Sequence, residues 1–211
     1  MKKAMNMKGL ALTMVLIASM TAANAQTWHF GPKAGYSASW MPGTVIDGGE
    51  KIIPHSSFYA GMLLDYDFEG MFYMEAELLY AGKGYSDRGG IDVPFSRQLN
   101  YLQIPVMAGV ELIEEKAYVT VGPEFGWLMS STTKKQGFDR VNDTKSCNRF
   151  NIALGVQLEY MIVDELGVDL KFDWGLNRTK KYYQPYEILD PVVDKGHNMS
   201  IQVGLCYKFE L

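Results

Sequence analysis

The feature that most constrains this chain is a period of two. From Trp28 every second residue is Trp28, Phe30, Pro32, Ala34, Tyr36, Ala38 and Trp40, with His29, Gly31, Lys33, Gly35, Ser37 and Ser39 between them. A strand sends successive side chains to opposite faces, so this spacing gives one apolar and one polar face. A helix would place its apolar residues three and four apart. The pattern returns over residues 58–68, 72–80, 102–110, 119–127, 150–160, 166–176 and 199–209, and no apolar column carries a charge. The alternation predicts eight strands.

The connections carry a second signal. Short links fall near 69–70, 113–116 and 163–165, and long ones over 41–57, 85–96, 130–148 and 179–196. Short and long alternate strictly. Up-and-down membrane barrels sort their loops this way, with short periplasmic turns and long extracellular loops, whereas a soluble sandwich has no reason to. The mean hydropathy of −0.10 excludes a helical membrane protein but not a barrel, whose strands are half polar.

Period alone does not say which face points outward, since a lipocalin-like barrel keeps its apolar side chains inside. Three observations favour the membrane. Aromatics gather at the two ends of the apolar columns. Trp28, Phe68, Phe72, Tyr160, Tyr207 and Phe209 fall at the short-turn end, and Trp40, Phe58, Tyr80, Trp127, Phe150 and Trp174 at the long-loop end, as two interfacial girdles would place them. The apolar set is too bulky for an eight-stranded interior, which the smaller polar set fits. The segments also reach about ten residues, enough for a tilted strand to cross a bilayer.

Residues 1–25 read as a secretory signal peptide. Lys2, Lys3 and Lys8 precede a short apolar run from Leu10 to Met20, and Ala23-Asn24-Ala25 is a small-x-small cleavage site. The run is too short for a spanning helix, and no cysteine near the cleavage point marks a lipoprotein. The expected product is exported through the Sec pathway, cleaved after Ala25, and folds as one domain over 26–211. The leader holds three of the 20 basic residues and no acid. The remainder therefore has 17 basic and 24 acidic residues, a net charge of −7, which disfavours a nucleic-acid partner.

Four motifs give the chain a family likeness: Gly31-Pro32-Lys33-Ala34-Gly35-Tyr36, Leu99-Asn100-Tyr101-Leu102-Gln103-Ile104-Pro105, Gly122-Pro123-Glu124-Phe125-Gly126 and the ending Gly204-Leu205-Cys206-Tyr207-Lys208-Phe209. With these it resembles the small outer-membrane β-barrel family labelled PorT-like, common in Bacteroidetes. The resemblance covers essentially the whole chain after the leader and implies a barrel while saying almost nothing of activity. Glu210 and Leu211 follow Phe209, where the family often stops at the aromatic. The secretion and gliding to which the label alludes are not carried by these motifs.

By parity, Asp65, Asp67, Glu75, Glu77, Glu124, Glu159, Asp169 and Asp173 point into the lumen with Lys33, Lys83, Lys171 and Lys208. Buried charges must be paired or hydrogen-bonded, so they are expected to crosslink the strands, with Lys33 and Lys171 as hubs. A proton or cation path is the functional alternative, but eight strands leave no open channel. His197 and Ser200 fall on opposite faces of the last strand, His29 lies at the other end, and His55 sits beside Ser56 and Ser57 in an expected loop, so no catalytic triad emerges. No metal-ligand spacing and no cofactor motif occurs. Cys147 falls in the third long connection and Cys206 in the lumen, about 20 Å or more apart, so both are expected as free thiols.

The expectation is therefore an all-β protein, an eight-stranded antiparallel up-and-down transmembrane β-barrel with both termini periplasmic. Its role would be structural or interaction-based: envelope integrity, adhesion or docking through long extracellular loops. Its partners would be outer-membrane lipid and lipopolysaccharide, the barrel-assembly machinery during insertion, and an extracellular protein or glycan. The third loop offers Lys134, Lys135, Asp139, Arg140, Asp143 and Lys145 for contact, and the fourth Tyr182, Tyr183, Pro185 and Tyr186. The rivals are a secreted soluble barrel holding a small apolar ligand and, more weakly, a lipid-modifying enzyme built on His197 or His55.

Overall fold

The computed structural model describes residues 27–42, 44–46, 52–68, 71–87, 94–179, 192–194 and 196–211. The expected leader and the aromatic tip of the fourth loop, Tyr182 to Tyr186, lie outside them. Eight long strands make up the body: β1 (Thr27–Trp40), β2 (Ile52–Asp67), β3 (Phe72–Asp87), β4 (Phe95–Ile113), β5 (Ala117–Lys135), β6 (Phe150–Val163), β7 (Leu166–Arg178) and β8 (His197–Tyr207). Beyond Tyr207 the last strand resumes as Phe209–Glu210.

Each strand pairs antiparallel with the next, and β8 closes on β1, with Ala34 opposite Leu205 and Tyr36 opposite Val203. Closure leaves no edge, so backbone donors and acceptors are satisfied between strands, as a bilayer requires. The apolar columns face outward. Leu154 and Leu170 keep 41% and 49% of their surface exposed, whereas Lys33 and Lys171 on the other face are at 1% and 0%. The protein is a closed eight-stranded antiparallel barrel with apolar side chains on its outside. This removes the soluble ligand-binding barrel, which needs the opposite arrangement.

The strands overrun the expected limits at the long-connection end. The ends of the stretches taken from the sequence as loops, 41–57, 85–96 and 130–148, are strand: β2 begins at Ile52, β3 runs to Asp87, β4 begins at Phe95 and β5 runs to Lys135. His55 is accordingly in a strand and not in a loop. The cause is an inversion of the pattern. Below this level apolar residues face out. Above it Asn100, Gln98 and Ser130 occupy the outer face, joined by Gln98 Nε2 to Asn100 Oδ1 at 3.1 Å and Asn100 Nδ2 to Ser130 Oγ at 2.9 Å, while Leu99, Tyr101 and Leu128 turn inward and are buried. Water replaces lipid outside, so the apolar face changes sides, and an apolar column followed along one parity disappears. A bulge between Asn100 and Tyr101, opposite Leu128 and Ser130, marks the change.

The third long connection is folded onto this extension. Val141–Asn142 pairs back on β5, and a single 3-10 turn, Thr144–Ser146, leads to Cys147. Asp143 fixes it by accepting from Ser131 Oγ, from Thr133 Oγ1 at 3.2 Å, and through an ion pair with Arg97.

Candidate functional site

The interior is the densest concentration of polar chemistry in the molecule. Lys33, Asp65, Glu75, Glu77, Glu124, Glu159, Asp169, Lys171 and Asp173 are all buried, as are Lys83 and Lys208. Asp67 remains partly exposed at the short-turn mouth. The groups connect along the barrel axis. At the mouth Lys208 Nζ meets Asp65 Oδ2 at 2.8 Å and Glu159 Oε1 at 2.5 Å, and it lies 5.0 Å above the Tyr73 ring. At mid-height Lys33 pairs with Glu77, donates to Gln157 Oε1 at 2.8 Å, and stands 3.6 Å from Glu75 and 3.8 Å from Asp169. Lys171 reaches Glu77 Oε2 at 2.8 Å and Glu124 Oε1 at 3.9 Å. Higher still, Lys83 pairs with Asp173 at 3.0 Å. Glu77 thus bridges Lys33 and Lys171.

Seven buried acids face four buried lysines here, so lysine alone cannot satisfy them. Neutral donors supply part of the rest, while Glu124 Oε1, Asp169 Oδ1 and Asp173 Oδ1 accept no hydrogen bond. Tyr59 donates to Asp169 at 2.8 Å, and Gln103 Nε2 to Glu124 at 2.9 Å. Gln157 Nε2 donates to Glu75 at 3.0 Å, and Ser200 and Gln202 to Asp173 at 2.6 and 2.9 Å. The Tyr73 hydroxyl lies 2.9 Å from Asp65 and 2.8 Å from Glu75, so its one proton is shared between two carboxylates. Tyr59 and Tyr73 did not enter the sequence reading. Parity alone would have found them, since each sits between two outward residues. Tyr59 has its room because Gly204 lies opposite: a Cβ on Gly204 would come within 2.1 Å of the tyrosine oxygen.

An apolar layer closes over the charges at the long-connection end. Met41, Tyr85, Leu99, Tyr101, Leu128 and Cys147 form one buried cluster, with Phe95 packed against it. Tyr101 OH accepts from Asn198 Nδ2 at 3.1 Å, which ties the layer to β8. The arrangement is a stack: a mouth with partly exposed polar groups, a crosslinked charged middle and a greasy cap. Both cysteines are free and buried, Cys147 in the cap and Cys206 in the lumen, where its thiol donates to Glu159 at 3.4 Å.

The aromatics of the two expected girdles are on the outer surface. Phe58, Phe72, Tyr80, Trp127, Phe150, Tyr160, Trp174, Tyr207 and Phe209 are exposed, and Trp28, Trp40 and Phe68 partly so. At the short-turn end Tyr66 is sandwiched between Trp28 and Phe68, with ring centroids 4.5 and 4.6 Å away.

The histidines divide. His55 contacts Ser86 Oγ at 3.2 Å, and neither it nor His197 meets a carboxylate among the described residues. His29 does. Its Nδ1 is 2.9 Å from Asp65 Oδ1 and 3.4 Å from Asp67 Oδ2, a ligand-type trio that the sequence could not show because it is assembled across β1 and β2.

Among the described residues, Lys134, Lys135, Arg140, Lys145, Arg149 and Arg178 are exposed at the long-connection end, with Asp139. At the short-turn end Glu114, Glu115, Asp164, Glu165 and Glu210 are exposed, with Lys116.

Residues 24–181 match the family described as outer membrane protein beta-barrel domain. The chain belongs to that family. It is an outer-membrane β-barrel protein of the Gram-negative type. Solved structures similar to it include small outer-membrane barrels. Ail, the attachment invasion locus protein of Yersinia pestis, is 14% identical with a TM-score of 0.44, the match covering 86% of this chain and 98% of Ail. Neisserial surface protein A is 9% identical with a TM-score of 0.45, covering 88% and 100%. Outer membrane protein W of E. coli is 13% identical with a TM-score of 0.40, again covering 88% and 100%. These likenesses concern the fold. No curated protein sequence matches the chain.

Proposed function

We propose that this outer-membrane barrel is a sealed scaffold whose work is done at its extracellular end, by docking, adhesion or support of the envelope. The carrying observation is the filled interior: a charge network crosslinks the strands, and the cluster of Met41, Tyr85, Leu99, Tyr101, Leu128 and Cys147 lies across its top. A barrel built to conduct would keep a hydrated path there, and one built to hold a small ligand would keep a cavity. What is left for interaction is the rim. Barrels of this type carry their long connections outside the cell, and here β2 to β5 raise a stiff wall that holds the third connection in place through Asp143. The lumen charges serve rigidity in this reading and not transport. The proposal includes export through the Sec pathway, removal of 1–25, and insertion of the domain 26–211 by the assembly machinery with both ends periplasmic.

The test pairs two measurements on the refolded chain. In planar bilayers the wild type should pass no steady ionic current. On cells, replacing residues 134–147 by a short Gly-Ser link should leave heat-modifiable mobility intact while abolishing surface binding to envelope or host extracts. Stable single-channel steps would overturn the sealed scaffold, and undiminished binding after the replacement would overturn the role of the rim.

A further inference from the structure

The short-turn mouth holds a cluster that rigidity of the lumen does not explain. His29 stands in the inward column of β1, directly opposite Asp65 of β2, and Thr27 stands opposite Asp67. Opposite residues share a face, as do residues two apart on one strand, so the imidazole and both carboxylates lie together. His29 Nδ1 is 2.9 Å from Asp65 Oδ1 and 3.4 Å from Asp67 Oδ2. That nitrogen carries at most one proton, and the contact with Asp65 already employs it. A second carboxylate drawn to the same nitrogen is what a cation can serve and a proton cannot. Asp65 is also held in place from behind. Its Oδ2 accepts from the Tyr73 hydroxyl at 2.9 Å and from Lys208 Nζ at 2.8 Å, which leaves Oδ1 turned to His29. Hydrogen bonds of this kind orient metal-binding carboxylates. On the other flank of His29 the resumed last strand sets Glu210 directly opposite it, and Leu211 N donates to Trp28 O at 2.9 Å to fix that backbone. A third carboxylate therefore shares the level of the imidazole.

We propose that His29, Asp65 and Asp67 bind a zinc ion at the short-turn mouth, with the fourth position open to Glu210 or water. The inference goes beyond the scaffold reading and concerns the opposite end of the barrel. Three physical points select this ion. One imidazole nitrogen with two carboxylate oxygens is a zinc-type donor set, whereas calcium and magnesium take oxygen throughout. Zinc bonds of about 2.0–2.2 Å in a tetrahedron leave the donor atoms about 3.3–3.5 Å apart, close to the two separations from Nδ1. The charge also suits a divalent cation. Lys208 lies beside Asp65 but meets Glu159 at 2.5 Å, so Asp67 and Glu210 add negative charge that no lysine answers among the described residues. An entry path exists, because the side chains of His29 and Asp67 are 24% and 34% exposed while Asp65 forms the buried floor. A bound ion takes the place of the proton between Nδ1 and Oδ1. It joins β1 to β2 and, through Glu210, to the last strand, across the seam where the barrel closes.

The chain is folded in phosphatidylcholine nanodiscs with no polyhistidine tag on any component, stripped with chelator, and titrated with Zn²⁺ against a fluorescent indicator. The wild type should take up one ion per barrel above the level of empty nanodiscs. His29→Gln and Asp67→Asn should each weaken uptake by about tenfold or more, at least as much as losing an outer-shell partner costs. Glu210→Gln should weaken it less, and His55→Gln and His197→Gln should leave it unchanged. Zinc should also raise the temperature at which the heat-modifiable band converts in the wild type and not in His29→Gln, since an ion that binds only the folded chain stabilises it. Co²⁺ gives a readout that needs no substitution and so stands whatever the folding yield of a variant: the wild type should show the intense visible absorption of a four-coordinate site. No uptake above empty nanodiscs, full uptake by His29→Gln, or displacement of zinc by an equal concentration of calcium overturns the proposal. So does the weak cobalt spectrum of a six-coordinate ion. An open channel in planar bilayers would sink the sealed scaffold and leave these zinc measurements as they are.

Discussion

At the scale of single residues, the interior depends on each lysine having several acceptors. Lys33 sits among Glu77, Glu75, Asp169 and Gln157 with no exposure of its side chain. Removing it leaves buried carboxylates facing one another, and breaking a buried pair from one side costs about 3–5 kcal/mol. Lys33→Met should therefore lower the unfolding free energy by that amount, measured by urea titration of tryptophan fluorescence in lipid vesicles. Lys33→Met combined with Glu77→Gln should recover part of the loss, because the second change removes one of the uncompensated charges while Lys171 keeps Glu124 within 3.9 Å. Strict additivity of the two losses would mean that the pair does not act as a unit. The sequence told which of these residues face inward, since parity requires no knowledge of register. It could not tell that Lys83 meets Asp173, 90 positions away, or that Glu77 joins Lys33 to Lys171, because such contacts are set by how strands are staggered around the closed barrel.

At the scale of elements, the transmembrane parts of the eight strands were legible and their extensions were not. Residues 102–110 read as a strand because every outward position is apolar. The strand's first residues, Phe95 and Ser96, read as loop only if one keeps looking for the same face. The solvent outside the strand changes at that height, and the inward set, Leu99, Tyr101 and Leu128, becomes the core of a small water-surrounded sheet. The third connection is docked on this sheet through Asp143, with Ser131 N donating to Thr144 Oγ1 at 2.8 Å and Cys147 buried beneath it. This gives a probe of the docking. In intact cells Cys147 should resist a membrane-impermeant maleimide. Asp143→Ala, which removes the acceptor of Ser131, Thr133 and Arg97, should raise the labelling rate at least about tenfold by shifting the local opening equilibrium. The Cys147→Ser variant should remain unlabelled, since Cys206 is enclosed in the lumen. Rapid labelling of the unaltered protein at Cys147 would show that the cap is not closed in solution.

For the whole molecule, the decisive property is the orientation of its two faces, and neighbouring positions on one strand can test it. Leu154 faces outward at mid-strand on β6, and Gln157 faces inward three residues on, bonded to both Lys33 and Glu75. In a bilayer the outer position meets hydrocarbon. An arginine there should cost about 2–4 kcal/mol near the midplane and less toward either girdle. Leu154→Arg and Leu170→Arg should thus share a penalty that depends on depth and is relieved when the barrel is moved from thick to thin lipid. Gln157→Arg should respond differently. Its cost comes from adding a cation beside Lys33 and from overfilling a packed interior, and neither depends on the lipid outside. The comparison of the two positions across bilayers of different thickness therefore separates lipid contact from lumen packing. Penalties at Leu154 and Gln157 that moved together with thickness would contradict the assignment of faces on which the fold, the girdles and the proposed rim contacts all depend.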